Sequence, residues 1–267
     1  MINEFTKLHG AGNDFIIVND SGQNYEKTLS TIRSLCDRRR GIGADGIIFL
    51  SLPPSQTDNF DAIMEFYNQD GSRAEMCGNG LRCAALYANK ALNLPKNLKF
   101  QTDAGILKTE VLSDSSVKIQ IPVISDFEEM SINRQKIYFG DTGVPHAVIF
   151  TNNIKNIKVD VTGSYYRNHT DFAPRGTNVN FIQKEVGNLF HIRTFERGVE
   201  AETSACGTGI SAAALSIYKF RGIKPPLKFL TKEEYLLEVD FKIEKPVNTL
   251  YLTGPVAEVF FGKIIKP

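Results

Sequence analysis

Ala74-Glu75-Met76-Cys77-Gly78-Asn79-Gly80 runs into Leu81-Arg82-Cys83-Ala84-Ala85-Leu86, and Thr203-Ser204-Ala205-Cys206-Gly207-Thr208-Gly209 runs into Ile210-Ser211-Ala212-Ala213-Ala214-Leu215. The two cysteine turns stand 129 positions apart (206 against 77). The same offset relates Leu98-Lys99-Phe100-Gln101-Thr102 to Leu227-Lys228-Phe229-Leu230-Thr231. Fainter echoes keep the order. Gly12-Asn13-Asp14-Phe15-Ile16-Ile17 resembles Gly143-Val144-Pro145-His146-Ala147-Val148, and Val117-Lys118-Ile119-Gln120-Ile121-Pro122 resembles Leu250-Tyr251-Leu252-Thr253-Gly254-Pro255. Several blocks in one order at nearly constant spacing indicate an internal duplication. Residues 1–121 and 122–255 are therefore expected to be two homologous halves. The tail 256–267 lies beyond the repeat and is expected to return to the first half as a strand.

Each half has the same coarse pattern. Phe15-Ile16-Ile17-Val18, Gly46 to Leu50 and Ala62 to Tyr67 are short β-rich runs, and Val117 to Ile121 and Leu236 to Ile243 read as further strands. Apolar helices are expected over Leu81 to Leu92 and Ile210 to Phe220, the Ala-rich second one buried on most sides. The order of elements argues for an α+β fold of two pseudo-symmetric domains, each a sheet wrapped around a central helix, and against alternating βαβ units.

The 267 residues are 42% hydrophobic and 23% charged with a net charge of +1, so neither a nucleic-acid nor a membrane partner is indicated. Arg38-Arg39-Arg40 is too short to imply phosphate recognition and reads as a solvated loop or helix end. The N-terminus has no signal-peptide pattern and no segment approaches a membrane span, so a cytoplasmic protein with reduced thiols is expected. No Cys-x-x-Cys occurs, so no metal site is expected, and Cys36 and Cys83 read as core residues.

Cys-Gly-Asn-Gly and Cys-Gly-Thr-Gly each sit where a loop becomes a helix. The first N–H groups of a helix are free and its dipole is positive there, which lowers a thiol pKa and favours a carboxylate. The glycines let the backbone approach that carboxylate closely. Two thiols placed this way suit inversion of a carbon centre, which needs a base on one face and an acid on the other. Cys77 and Cys206 are thus the candidate acid/base pair, sharing one proton and needing no cofactor.

Gly41-Ile42-Gly43-Ala44-Asp45-Gly46 fits G-x-G-x-x-G, but a helical segment (Leu29 to Arg38) precedes it and a strand follows, the reverse of a dinucleotide site. Polar clusters near glycines, at Asn13-Asp14, Asn68-Gln69-Asp70-Gly71, Arg175-Gly176-Thr177-Asn178 and Glu196-Arg197-Gly198, are turns or substrate contacts. His146 is either structural or a modulator of a thiol; His9, His169 and His191 read as structural.

Taken together, these segments make the chain resemble the diaminopimelate epimerases. The resemblance runs from Leu8-His9-Gly10-Ala11-Gly12-Asn13-Asp14-Phe15 through Phe66-Tyr67-Asn68-Gln69-Asp70-Gly71-Ser72, the first cysteine motif, Pro145-His146, Asn178-Val179-Asn180-Phe181 and Phe195-Glu196-Arg197-Gly198 to the second cysteine motif. It implies epimerisation of LL- to meso-diaminopimelate without pyridoxal phosphate, in lysine and peptidoglycan biosynthesis, by a homodimer with its site in the cleft between the two domains. It also implies substrate contacts from Asn13, Asn68, Asn178, Glu196 and Arg197. Backbone contacts to the reacting carboxylate are implied from Gly78, Asn79, Gly207 and Thr208, with tuning of the thiols by His146 and Glu196. Many members carry Asn at the position of Val144 and Gln at that of Gly46, and the Arg197 to Glu202 loop is one residue longer here. A proline or hydroxyproline racemase of the same fold and a non-catalytic amino-acid-binding protein are the competing readings.

Overall fold

A computed structural model describes residues 4–22, 25–55, 59–242 and 249–264. Ile243, the end of one expected strand, and the tail 265–267 lie outside the described residues. The chain divides into two compact units, Met1–Ile119 with Gly254–Pro267, and Gln120–Thr253.

The first unit contains β1 (Glu4–Gly10), β2 (Asn13–Asn19), α1 (Leu29–Cys36), β3 (Gly46–Ser51), β4 (Ala62–Asn68), β5 (Arg73–Ala74), α2 (Gly78–Ala91), β6 (Asn97–Thr102) and β7 (Gly105–Ser113). Strand β8 (Ser116–Pro122) leads the chain into the second unit. There follow β9 (Ser125–Ile132), β10 (Gln135–Asp141), β11 (Pro145–Phe150), α3 (Val159–Arg167), β12 (Asn178–Lys184), β13 (Leu189–Glu196), β14 (Ala201–Thr203), α4 (Gly207–Arg221), β15 (Leu227–Leu230), β16 (Leu236–Asp240) and β17 (Thr249–Pro255), before the final β18 (Ala257–Lys263).

Both units repeat one ladder. In the first, β1–β2 is antiparallel, β2–β3 parallel, β3–β4 and β4–β5 antiparallel, β4–β6 parallel, and β6–β7–β8 antiparallel. In the second, β10–β11 is antiparallel, β11–β12 parallel, β12–β13 and β13–β14 antiparallel, β13–β15 parallel, and β15–β16–β17 antiparallel. The units differ in where the outer strand comes from. Strand β10 pairs with β9, just before it in the chain, whereas β1 pairs antiparallel with β18 from the chain's end.

Burial follows the strand period. Strand β8 alternates strictly between core and surface, because one face only is covered. Strand β3 buries Gly46 to Leu50 without a break. It packs against α1 and against α2, so both of its faces are dry. Helix α2 packs on β1, β2, β3, β4 and β7, and α4 on the equivalent β10, β11, β12 and β16 together with β9. Each unit is therefore a sheet wrapped around a central helix. In α4 nearly every residue from Gly207 to Ile217 is buried, which accounts for its small side chains: only they fit a cylinder enclosed by strands.

Both central helices begin three residues earlier than their apolar patterns suggest, at Gly78 and Gly207. The extended N-cap residues are Cys77 and Cys206, so Gly-Asn-Gly and Gly-Thr-Gly form the first helical turns. Glycine in a helix costs about 1 kcal/mol relative to alanine. Close packing explains its use: a Cβ on Gly80 would lie 3.1 Å from Ile48 Cδ1, and one on Gly209 would overlap Asn180 Oδ1. Among the described residues no helix is long and apolar enough to cross a membrane.

Candidate active site

In the first unit, the half-buried Cys77 Sγ accepts the Gly80 N–H at 3.4 Å and lies 3.8 Å from Asn13 Oδ1. Asn13 sits at the start of β2, opposite Gly10 on β1. Its amide orientation follows from its partners. Asn13 Nδ2 donates to Asp45 Oδ2 at 2.7 Å, so Oδ1 faces Cys77 and accepts from Asn79 Nδ2 at 3.2 Å. Asn79 Oδ1 in turn accepts from Arg82 Nη2 at 2.7 Å. The direction is enforced at both ends, because a carboxylate only accepts and a guanidinium only donates. Gly10 makes room for this chain: a Cβ there would lie 2.9 Å from Asn79 O and 3.3 Å from Arg82 Nη2.

Asp45 is itself held. Arg38 donates to Asp45 Oδ1 at 2.7 Å and to both oxygens of Asp14, and Lys7 pairs with Asp14 at 2.8 Å. Burial opposes ionisation of Asp14, but hydrogen bonds from Arg38 and Lys7 outweigh it and hold the carboxyl well below the usual range. Arg38 is thus more than a solvated charge: it clamps Asp14 and Asp45, and Asp45 orients Asn13. The G-x-G-x-x-G segment lies between α1 and β3 and supplies Asp45 to this clamp. Asn68, at the end of β4, pairs with Gly46 and donates to Ser72 Oγ at 3.0 Å.

In the second unit, Cys206 is buried, with Sγ 3.4 Å from Thr208 Oγ1. Thr142 Oγ1 donates to Thr208 O at 2.9 Å and so ties the first turn of α4 to the end of β10. Asn178, on β12, commits its amide at both ends: Nδ2 donates to Pro145 O at 3.3 Å, and Oδ1 accepts the Arg197 N–H at 2.7 Å. Arg197 Nη1 donates to Arg175 O at 3.0 Å. Asn178 therefore fixes the backbone of Arg197. Glu196 and Arg197, half-buried, follow each other at the end of β13. The loop beyond them is closed by Glu200, whose Oε1 accepts from Arg167 Nε and from the Gly198 N–H, each at 3.0 Å.

His146, on β11, is fully buried, and burial, helped by the Arg197 charge, pushes its pKa down to about 3. It is neutral at physiological pH, and its tautomer follows from its neighbours. Asn180 Nδ2 donates to Ala147 O at 3.2 Å, while Asn180 Oδ1 accepts from Thr194 Oγ1 at 3.0 Å. The group 3.1 Å from His146 Nδ1 is consequently the Asn180 NH2, so Nδ1 accepts and the proton is on Nε2. That Nε2–H is buried with no hydrogen-bond partner among the described residues. His146 is built to donate a hydrogen bond; accepting a proton would cost it the bond from Asn180.

The sequence pattern does not mark Asp45, Asn180 or Thr194 as site residues. Arg82 alone carries a signal there: a charged residue between the apolar Leu81 and Cys83-Ala84-Ala85-Leu86. Among the described residues no group of three or more His, Cys, Asp or Glu is placed to hold a metal.

The model of the family described as diaminopimelate epimerase matches residues 5–123 and 138–259. The chain belongs to the diaminopimelate epimerase family. It is 38% identical to the diaminopimelate epimerase of Aquifex aeolicus (strain VF5), covering 98% of this chain and 97% of that protein. It is 37% identical to that of Hydrogenobaculum sp. (strain Y04AAS1), covering 97% of each. Among solved structures, a Bacillus anthracis phenazine biosynthesis protein of the PhzF family superposes with a TM-score of 0.73 at 15% identity, over 99% of both chains. A probable proline racemase from Agrobacterium radiobacter K84 gives 0.73 at 14% identity, over 98% of this chain and 93% of that one. These two likenesses are of fold.

As a member of the diaminopimelate epimerase family the chain is an isomerase. Gly46 is tightly enclosed. A Cβ at Gly46 would lie 2.5 Å from Phe66 Cε2 and 2.7 Å from Tyr67 O. The Phe66 ring fills the space that a glutamine stem would need. Val144 is half-buried, and its carbonyl accepts from the Thr142 N–H at 3.3 Å.

Proposed function

We propose that this chain interconverts LL- and meso-diaminopimelate without pyridoxal phosphate, with Cys77 and Cys206 as base and acid on opposite faces of one α-carbon. The observation that carries this reading is that the two thiols occupy equivalent repeat positions and are the N-caps of the two buried central helices. One thiolate takes the α-proton and becomes a thiol. The other thiol gives its proton to the opposite face and becomes the thiolate. The N–H groups of Gly78 and Asn79, and of Gly207 and Thr208, are first-turn donors suited to the reacting carboxylate, through which the developing carbanion is stabilised. Asn13, Asn68, Asn178, Glu196 and Arg197 would hold the remaining polar groups. The Nε2–H of His146 suits an anion, whether the carboxylate or a thiolate. The reaction would serve lysine and peptidoglycan precursor synthesis.

The fold is shared with a probable proline racemase, which makes proline the informative control. The adjacent charges of Glu196 and Arg197 suit a longer substrate carrying a second amino-acid head. Purified protein, with no added cofactor, should turn over LL-diaminopimelate and leave L-proline and trans-4-hydroxy-L-proline unchanged by chiral chromatography. Turnover of a proline with none of diaminopimelate would overturn the assignment, and turnover of neither would favour a binding protein.

A further inference from the structure

The chain of hydrogen bonds that ends at Cys77 belongs to one half of the duplication. It runs from Asp45 through Asn13 and Asn79 to Arg82. Strand register gives the equivalents in the other half: Phe15 faces Gly46 across β2–β3 as His146 faces Asn178 across β11–β12. Asp45 and Asn13 therefore correspond to Thr177 and Val144, and the 129-residue offset makes Asn79 and Arg82 correspond to Thr208 and Ser211. None of these four carries an amide or a charge. Thr177 Oγ1 donates to Asn178 O at 2.9 Å and Ser211 Oγ to Gly207 O at 3.0 Å, so both are satisfied locally.

The chain decides which atom of Asn13 meets the sulfur. Asp45 Oδ2 accepts from Asn13 Nδ2 at 2.7 Å and from the Asp14 N–H at 3.2 Å. The backbone of Asp45 is fixed as well: its N–H donates to Asp14 Oδ1 at 3.0 Å, and its carbonyl accepts the Gln69 N–H at 3.0 Å. At the far end Arg82, fully buried, holds Asn79 Oδ1. The atom left facing Cys77 is Asn13 Oδ1, at 3.8 Å and in the geometry of an S–H donor. The Gly80 N–H, 3.4 Å from Sγ, can be given to a thiol or a thiolate. An acceptor can be met by the thiol alone.

We infer that Asp45 is a positioning residue for Cys77: it holds the Asn13 amide with its oxygen towards the sulfur and so gives the thiol proton of Cys77 a fixed acceptor. The inference rests on the two-thiol reading above, in which each cysteine must hold a proton for half of the cycle. A helix N-terminus alone favours the thiolate; the amide oxygen opposes it and lets Cys77 serve as the acid.

The titratable and charged groups of α2 are Arg82, Cys83, Tyr87 and Lys90. On the strands packed against it they are Glu4, Lys7 and His9 of β1, Asp14 of β2, Glu65 of β4, and Lys108 and Glu110 of β7, while β3 carries none. All of these are common to the variants below, so a shift between variants reports the residue changed.

The test is peptide-resolved alkylation of the free protein with iodoacetamide across pH, which needs no substrate. Asn13→Ala should lower the Cys77 midpoint by about half a pH unit or more, a gain of about threefold in alkylation rate below the midpoint. Asp45→Ala should give most of that shift, and no further shift when Asn13 is already Ala. Asp45→Asn separates orientation from charge. Its amide oxygen is drawn to the side with two donors, Asn13 Nδ2 and the Asp14 N–H, because Arg38 is more than half exposed and keeps both oxygens of Asp14. The midpoint should then stay close to that of the unmodified protein. An unmoved or raised midpoint in folded Asn13→Ala, an equal fall in Asp45→Asn and Asp45→Ala, or a full further fall in the double variant would overturn the inference. Should Asp45→Ala not fold, Asn13→Ala and Asp45→Asn decide: a fall in the first alone supports the inference, and any other pattern overturns it. Failure of the unmodified protein to epimerise diaminopimelate would sink the two-thiol reading without touching these midpoints.

Discussion

Cys77→Ala and Cys206→Ala should each lower the rate of LL- to meso-diaminopimelate conversion by about a thousandfold or more, with the fold intact. A positioned acid or base contributes about 10²- to 10⁴-fold, and inversion needs both. Neither substitution should unfold the protein. Alanine keeps the Cβ of each N-cap and removes one sulfur, from a half-buried position in Cys77 and from a buried one in Cys206. The loss of packing is of the order of 1 kcal/mol. Coupled turnover assays alongside urea melts separate the two effects. More than about a tenth of the activity in either folded variant would rule out two-base inversion.

Arg197→Met should reduce kcat/KM for diaminopimelate by about a hundredfold, mostly through KM. The backbone of Arg197 is held by Asn178 Oδ1 and one guanidinium nitrogen by Arg175 O, so the side chain is aimed before substrate arrives. Hydrogen bonds between charged groups contribute about 1.5–3 kcal/mol each, and a guanidinium can give two to one carboxylate. Methionine keeps most of the length and none of the donors. Arg197→Lys should recover only part of the loss, because a point charge does not reproduce the fork. Steady-state kinetics on both variants check this; an unchanged KM would remove Arg197 from the binding groups.

The parts of this account that the sequence carries openly are local ones. A cysteine followed by two glycines at a helix start is a contiguous device, and it occurs twice at one offset, so both N-caps were legible. The alternation of β8 and the unbroken burial of β3 follow from side-chain period and helix cover. The helix starts were misplaced because glycine argues against helix on propensity, whereas here packing against Ile48 and Asn180 overrides it. The polar network was not legible for another reason. Asn13 meets Asp45, 32 residues away, and Asn79, 66 residues away, and nothing local marks which carboxylate orients which amide. The same holds for Asn180, whose role appears only when His146 and Thr194 are beside it. The repeat also concealed what it does not share. Arg82 and Ser211 occupy one position in the two helices, and only the structure shows that one keeps two buried nitrogens without a partner while the other bonds its own helix.

The central claim is inversion at an α-carbon by proton exchange, and isotope incorporation reports on it directly. Purified protein incubated with LL-diaminopimelate in deuterated water, without added cofactor, should yield meso-diaminopimelate carrying deuterium at the inverted α-carbon. By mass spectrometry and proton NMR the label should be at that centre in the first-formed product. Meso product without deuterium, or no exchange at either α-carbon, would contradict the account.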